Sequence, residues 1–322
     1  MKMKIITFDD IYKLQIASEQ CYLWVSEMIK NKESALLPPK ISMKPVEGVF
    51  CNVMPSILKD ETNTFPHRGG VKIVTRYPQR QPSLDSKLLL FDGESGEFLA
   101  LMDANWITAM RTGAVAAHSI LLLAKKGFST LGILGLGNTA RAALMVLAAM
   151  QPDREFSIKL LKYKGQEKLF IERFKEYPNL HFSCVDNADM LIKGSDVVIS
   201  AATYLPEDIC GDECYEEGVL VVPIHTLGFT NCDLFFDKIY ADDYGHVCHF
   251  KNFDKFKYFA EVSDVIHGKA VGRENDNERI LAYNIGVSIH DINFATHIYQ
   301  MLKDDKSIID VDLHDPTEKF WI

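Results

Sequence analysis

Basic residues are in the minority: 35 lysines and arginines face 44 aspartates and glutamates across 322 residues, a formal net charge of −9. No cation excess is available to neutralise a phosphate backbone, so a general nucleic-acid surface is excluded and only local basic pockets remain. Cysteine is also scarce and odd in number, with seven scattered residues: Cys21, Cys51, Cys184, Cys210, Cys214, Cys232 and Cys248. A secreted disulfide framework is cysteine-dense and usually even in count, so a reducing compartment is expected. Only Cys210 and Cys214 approach metal-ligand spacing. With no second pair and no His-x-x-x-His nearby, no metal is expected. The N-terminal MKMKIITFDD lacks the apolar stretch of a signal peptide. No window of about 18 apolar residues stands out as a membrane span. A cytoplasmic chain with no membrane partner is the expectation. Internal repeats and low-complexity segments are missing too.

What is present reads as two kinds of structure. In the first hundred residues, Asp9 or Asp10 can cap a helix carrying Ile11, Leu14, Ala17, Cys21 and Trp24 at near-helical spacing. Beyond Pro38 and Pro39 come short extended runs at 48–54, 70–77, 86–91 and 97–102. The last two flank Asp92-Gly93-Glu94-Ser95-Gly96, a hairpin signal. A helix over 107–124 follows, with Asp103 as N-cap and Gly127 as stop; its small residues imply close packing against its backbone. From Thr130 strands and helices alternate, with strands at 130–134, 157–162, 181–185, 196–200, 219–223 and 238–241. Six strands with crossovers predict a Rossmann-type, doubly wound, mainly parallel α/β sheet. A helix within 284–302, with Ile289, Ile292, Ala295, Ile298 and Met301 inward, returns to the first domain. The expected division is 126–280 for the nucleotide domain, with 1–125 and 281–322 forming a discontinuous α+β domain from both chain ends.

Gly135-Leu136-Gly137-Asn138-Thr139-Ala140 is the decisive local feature. It follows an apolar strand and opens an alanine-rich helix, the context that a dinucleotide fingerprint requires. One glycine makes the turn, the next lets a pyrophosphate approach the backbone, and Ala140 allows close helix packing. The helix N-terminus then offers N–H groups to phosphate. Arg141, Thr112 and Thr203 are placed with the same cofactor. NAD binding usually shows a carboxylate after the second strand, but here the chain reads Lys162-Tyr163-Lys164-Gly165. Lys162 and Lys164 suit a ribose 2′-phosphate, so NADP is expected in preference to NAD; solvated lysines are the alternative.

At this point a family resemblance emerges. Gly70-Val71-Lys72-Ile73-Val74, Phe91-Asp92-Gly93-Glu94-Ser95-Gly96 and the segment Ile107 to Ala114 come first. The glycine turn with Arg141, then Ala260-Glu261-Val262, Gly272-Arg273 and Ile289-His290-Asp291, follow in order. Together they resemble the ornithine cyclodeaminase/mu-crystallin family over roughly 49–299. The segment 124–128 and the stretch from Gly272 to Asp291 look like its siderophore-precursor amino-acid dehydrogenases. The resemblance implies a substrate and dimerisation domain beside the nucleotide domain, and a homodimer. It also implies that Lys72 and Arg111 hold a substrate carboxylate against the nicotinamide. Arginine can do so bidentately, and a lysine inside an apolar strand is costly unless paired. An arginine that the family carries in an early Pro-rich segment is replaced here by Lys40 or Lys44.

One departure bears on the chemistry. Cyclodeaminases place a catalytic aspartate after the fifth nucleotide-domain strand, and matching the acidic residue that follows it to Asp233 puts Leu227 there. Leucine cannot exchange protons. His225, two residues earlier, is the candidate general acid or base, with a hydrogen-bonded strand-end histidine as the bland alternative. Asp291 looks catalytic in isolation but reads better as a helix-start residue. The favoured function is an NAD(P)H-dependent reductase or dehydrogenase acting on the C–N bond of amino-acid-derived imines, either ketimines or opine-type N-carboxyalkyl amino acids. An ammonia-releasing ornithine cyclodeaminase and a mu-crystallin-like ligand-binding protein are the alternatives.

Overall fold

A computed structural model describes residues 2–59, 67–203, 205–225 and 227–312. The chain divides into two compact units: one built from 1–16, 31–108 and 287–322, the other from 17–30 and 109–286.

The first unit is a seven-stranded sheet with one long helix on it. Its long strands are Phe50–Leu58, Arg68–Arg76, Leu84–Asp92 and Phe98–Asp103, paired antiparallel in chain order. Lys2–Ile6 joins Phe98–Asp103 in parallel and is itself flanked by Ile309–Asp312, and Ile41–Met43 closes the far edge. These three additional strands escape a search for apolar alternation because they are short or charged. Along Arg68–Arg76 the pleat sends Gly70, Lys72 and Val74 to one face. That face meets helix Ser288–Leu302: a Cβ on Gly70 would lie 2.3 Å from Ile292 Cδ1. The predicted inward set Ile289, Ile292, Ala295 and Ile298 is buried, but Met301 is half exposed, beyond the edge of the packed stripe.

The N-terminal helix expected as one piece is two. Phe8–Lys13 starts at Thr7, in a capping box with Asp10, and the chain turns out of the helix at Gln15 (φ 47°). Ser18–Lys30 then belongs to the second unit, where it packs on helices Asn138–Met150 and Val262–Ile266.

The second unit holds an eight-stranded, all-parallel sheet. Six strands fall where the alternation predicts them, at Thr130–Leu134, Phe156–Leu161, Leu180–Val185, Val197–Ser200, Leu220–Pro223 and Lys238–Ala241. Two more, Phe259–Glu261 and Ile280–Tyr283, were not anticipated, and Ile280–Tyr283 inserts between the strands of Leu220 and Lys238. The unit therefore runs to Gly286 rather than 280. It also begins at Ala109 rather than 126, because helix Asn105–Leu123 packs on the glycine-turn helix from within: a Cβ on Gly113 would lie 2.4 Å from the Ala143 nitrogen. That helix corrects a second expectation. By length and composition it is apolar enough to cross a membrane, yet most of it is buried, as in a core helix. Arg273 closes its C-terminal end, donating from Nε to the Leu123 carbonyl (2.7 Å) and from its guanidinium to the Glu278 and Gly218 carbonyls. The aromatic run at Phe250, Phe253, Phe256 and Phe259 packs against the buried core of this unit.

Candidate functional site

In the second unit the glycine turn sits where the strand order reverses, between the neighbouring strands Thr130–Leu134 and Val197–Ser200. Ligands of open α/β sheets bind at the carboxyl ends of the strands at such a point. Gly135 is left-handed (φ 77°), and a Cβ there would come within 2.3 Å of the Ala201 and Ala202 backbone. No larger residue can make this turn. Gly137, the N-cap of helix Asn138–Met150, is the opposite case: a Cβ would meet nothing within 4 Å. An open cradle before a helix N-terminus is what a pyrophosphate needs. Arg141 adds a buried Nε with no hydrogen-bond partner. The residues present fit a dinucleotide.

Of the other predicted cofactor residues, Thr112 is buried, while Thr203 is exposed just beyond the Val197–Ser200 strand. Lys162 and Lys164 directly follow strand Phe156–Leu161. Lys162 pairs with Asp186 at 2.7 Å, both side chains exposed, and the Lys164 ammonium lies 5.0 Å from the Tyr163 ring centre. Asp186, at the end of the adjacent strand, is a carboxylate that the search after the second strand alone did not find.

Arg111 is also in this unit, on helix Asn105–Leu123, and is 5% exposed. Its guanidinium lies against Gly286, where a Cβ would be 2.8 Å from it. Asp242, buried at the end of strand Lys238–Ala241, organises this corner. It accepts from the Gly286 N–H (2.7 Å) and from Asn284 Nδ2 (3.2 Å), and Asn284 also donates to Ser119. Burial pushes the Asp242 carboxyl up, opposed by those hydrogen bonds and by the Arg111 charge. Sequence reading missed Asp242; the available signal was a carboxylate closing an apolar strand.

His225 follows strand Leu220–Pro223, and its Nε2 lies 2.6 Å from Ser200 Oγ. Burial depresses its pKa to about 4, despite a hydrogen bond with the Leu227 backbone. The ring is therefore neutral at physiological pH, in keeping with a hydrogen-bonded strand-end histidine. Leu227 is half exposed, and Thr226 lies outside the described residues.

In the first unit Lys72 stands in mid-strand with no exposure, and its Nζ donates to Asp291 Oδ1 at 2.8 Å. Asp291, equally buried, is in the first turn of helix Ser288–Leu302. It is not the simple helix-start residue that the sequence suggested. Its spacing of four and seven residues from Ala295 and Ile298 puts it on the buried stripe, where a carboxylate requires a partner. Arg68 and Asp92 pair at 2.6 Å, and Asp92 accepts the Glu94 and Ser95 N–H groups. These bonds, the Ser95 N–H foremost, hold its carboxyl below the usual range, so the hairpin motif at 92–96 is structural.

Over 286 residues the chain is 27% identical to the nodulation efficiency protein NfeD of Rhizobium meliloti, covering 82% of this chain and 83% of that one. It is 27% identical over 228 residues to the N-((2S)-2-amino-2-carboxyethyl)-L-glutamate dehydrogenase of Staphylococcus aureus, covering 66% and 67%. Its fold matches the Thermococcus litoralis Δ1-pyrroline-2-carboxylate reductase, solved with NADH and L-proline, at a TM-score of 0.83 and 23% identity, covering 96% of this chain and all of that one. The ornithine cyclodeaminase/mu-crystallin family model matches residues 2–306, and the chain belongs to that family.

Proposed function

We propose that the protein is an NAD(P)H-dependent reductase of imines derived from amino acids. The observation that carries this reading is the fully buried Lys72–Asp291 pair. Burying two charges costs several kcal/mol per ion before their attraction is counted, on the order of what a domain can spare, so such a pair is retained where a charge is needed. Lys72 supplies a cation for the substrate carboxylate, and Asp291 orients it. In the second unit Arg111, set by Gly286 and Asp242, offers a guanidinium suited to a carboxylate. The dinucleotide is held by Gly135, Gly137, Asn138, Thr139, Ala140 and Arg141, with Thr112 and Thr203. When bound, the reduced nicotinamide supplies a hydride to the carbon of the C=N bond. An imine that arrives protonated from water needs no further acid, so a leucine at position 227 and a neutral His225 are both compatible with reduction. His225 then acts through its hydrogen bonds, positioning the strand ends of Ser200 and Pro223.

Lys162 and Lys164 favour the 2′-phosphate of NADPH, with Asp186 releasing Lys162 to it. Tighter binding of NADH than of NADPH contradicts that preference. A homodimer is supported by the sheet face away from helix Ser288–Leu302, which exposes Ile73, Leu101 and Phe98. Seven free cysteines support a reducing, cytoplasmic setting.

The test is oxidation of NADPH or NADH by purified protein with cyclic ketimines, and with 2-oxo acid and amino-acid mixtures. Turnover that requires both partners, and that disappears in Lys72→Met, supports the reading. Ammonia release from ornithine with catalytic NAD+ replaces it with a cyclodeaminase.

A further inference from the structure

The spacing of Cys210 and Cys214 alone argued against a metal, but folding brings in a third donor. Asp189, from the short helix Ala188–Ile192, Cys210 and Cys214 offer one ligand atom each, all within 4.8 Å of one another. We propose that these three side chains bind a thiophilic divalent ion of the zinc class, with water as fourth ligand. Two thiolates balance the charge of such an ion, and with a carboxylate and water they suit its tetrahedral preference. None of the three is among the residues assigned to the reaction above, so the inference does not rest on it.

The donors are held in place before any ion arrives. The Cys210 carbonyl accepts from Asn231 Nδ2 (3.2 Å), which also donates to Asp212 (2.8 Å) in the turn leading to Cys214. Asp208 anchors the same loop by accepting from the Thr230 and Asn231 N–H groups, and the Ile209 N–H donates to the Gly228 carbonyl. An independent feature points to a ligand. The Tyr215 hydroxyl is buried without a well-formed hydrogen bond and lies beside the sulfurs of Cys210 and Cys232. A thiolate held by a metal is a far better acceptor for that O–H than a thiol, and hydrogen-bond donors that touch metal ligands commonly orient them. The ion would tie the helix before strand Val197–Ser200 to the loop after it.

The experiment is titration of reduced, chelator-treated protein with Co2+, read by absorbance, followed by displacement with Zn2+. The account expects one ion per chain, tetrahedral visible bands and a thiolate-to-cobalt charge-transfer band. It also expects a Zn2+-dependent rise in melting temperature. Cys210→Ser and Cys214→Ser abolish the charge-transfer band and the rise. Asp189→Asn, an exposed change that leaves the core untouched, weakens affinity by more than about tenfold while keeping sulfur-to-cobalt absorbance. Cys184→Ser changes nothing. Absence of the band in the wild type, its survival in both serine variants, or an Asp189→Asn protein that binds as well as the wild type overturns the proposal. So does a Cys210–Cys214 disulfide, two hydrogens lighter by mass, that persists under reduction.

Discussion

Lys72 and Lys162 make ion pairs of nearly equal length, 2.8 Å to Asp291 and 2.7 Å to Asp186, in different units and in opposite surroundings. Neither Lys72 nor Asp291 has any exposed side chain, whereas Lys162 and Asp186 are 48% and 71% exposed. Water screens the second pair until it contributes little, while the first has no solvent to fall back on if one member is removed. Solvent, more than distance, decides what a charge pair is worth.

The largest effect therefore belongs to the buried pair. Lys72→Ala or Asp291→Ala leaves one uncompensated charge and costs about 3–5 kcal/mol in denaturant unfolding, with loss of activity. Replacing both by Met and Leu together recovers most of that stability and none of the activity. Recovery of activity in the double variant would break the comparison.

The glycine turn sharpens it in another way. Gly135→Ala drives a Cβ into the Ala201–Ala202 backbone from a left-handed residue, and is expected to cost about 1–3 kcal/mol or more. Gly137→Ala puts its Cβ into open space and leaves the melting temperature much less changed than Gly135→Ala does, but intrudes on the cradle and weakens dinucleotide binding at least tenfold by fluorescence titration. Stability and binding then separate across two positions in one turn.

Next is pH. His118 and His225 are held neutral in the fold down to about pH 4, from an ordinary value of 6.5, chiefly by burial. The unfolded chain takes up protons first, so each contributes stability at pH 6.5 and above that is lost as pH falls toward 4. Asp233 runs the other way. Burial raises it to about 6, against hydrogen bonds from Tyr283 and Asn252, so the fold binds its proton first and is penalised as pH rises from 3.8 through 6. In unfolding midpoints measured from pH 4 to 7, His118→Leu flattens the acid decline and Asp233→Asn steepens it. Unchanged slopes would refute both assignments.

The smallest effect is at the exposed pair. Lys162→Ala leaves the melting temperature unmoved and lowers affinity for NADPH while sparing NADH. An equal loss for both dinucleotides argues that Lys162 does not recognise the 2′-phosphate.

Much of the nucleotide-binding unit was legible because parallel strands buried on both faces read as apolar runs, and because the turn at 135–140 has a local signature. Phe259–Glu261 and Ile280–Tyr283 were not legible: each is only three or four residues long, and the second is inserted out of chain order. Lys72 and Arg111 were singled out through motif order. Asp291, Asp242 and Asp189 were not, since each gains its meaning from a partner between 21 and 219 residues away or from a corner closed by three separate segments. Spacing rules see neighbours in sequence, and these carboxylates are neighbours only after folding.

The central claim, net hydride transfer to an imine carbon, is tested most directly with cofactor carrying deuterium at the transferable nicotinamide position. Mass spectrometry of the amine product should find one deuterium at the carbon bonded to nitrogen for each cofactor oxidised. Product free of deuterium, with no cofactor consumed and ammonia released from a diamino acid, would contradict the account.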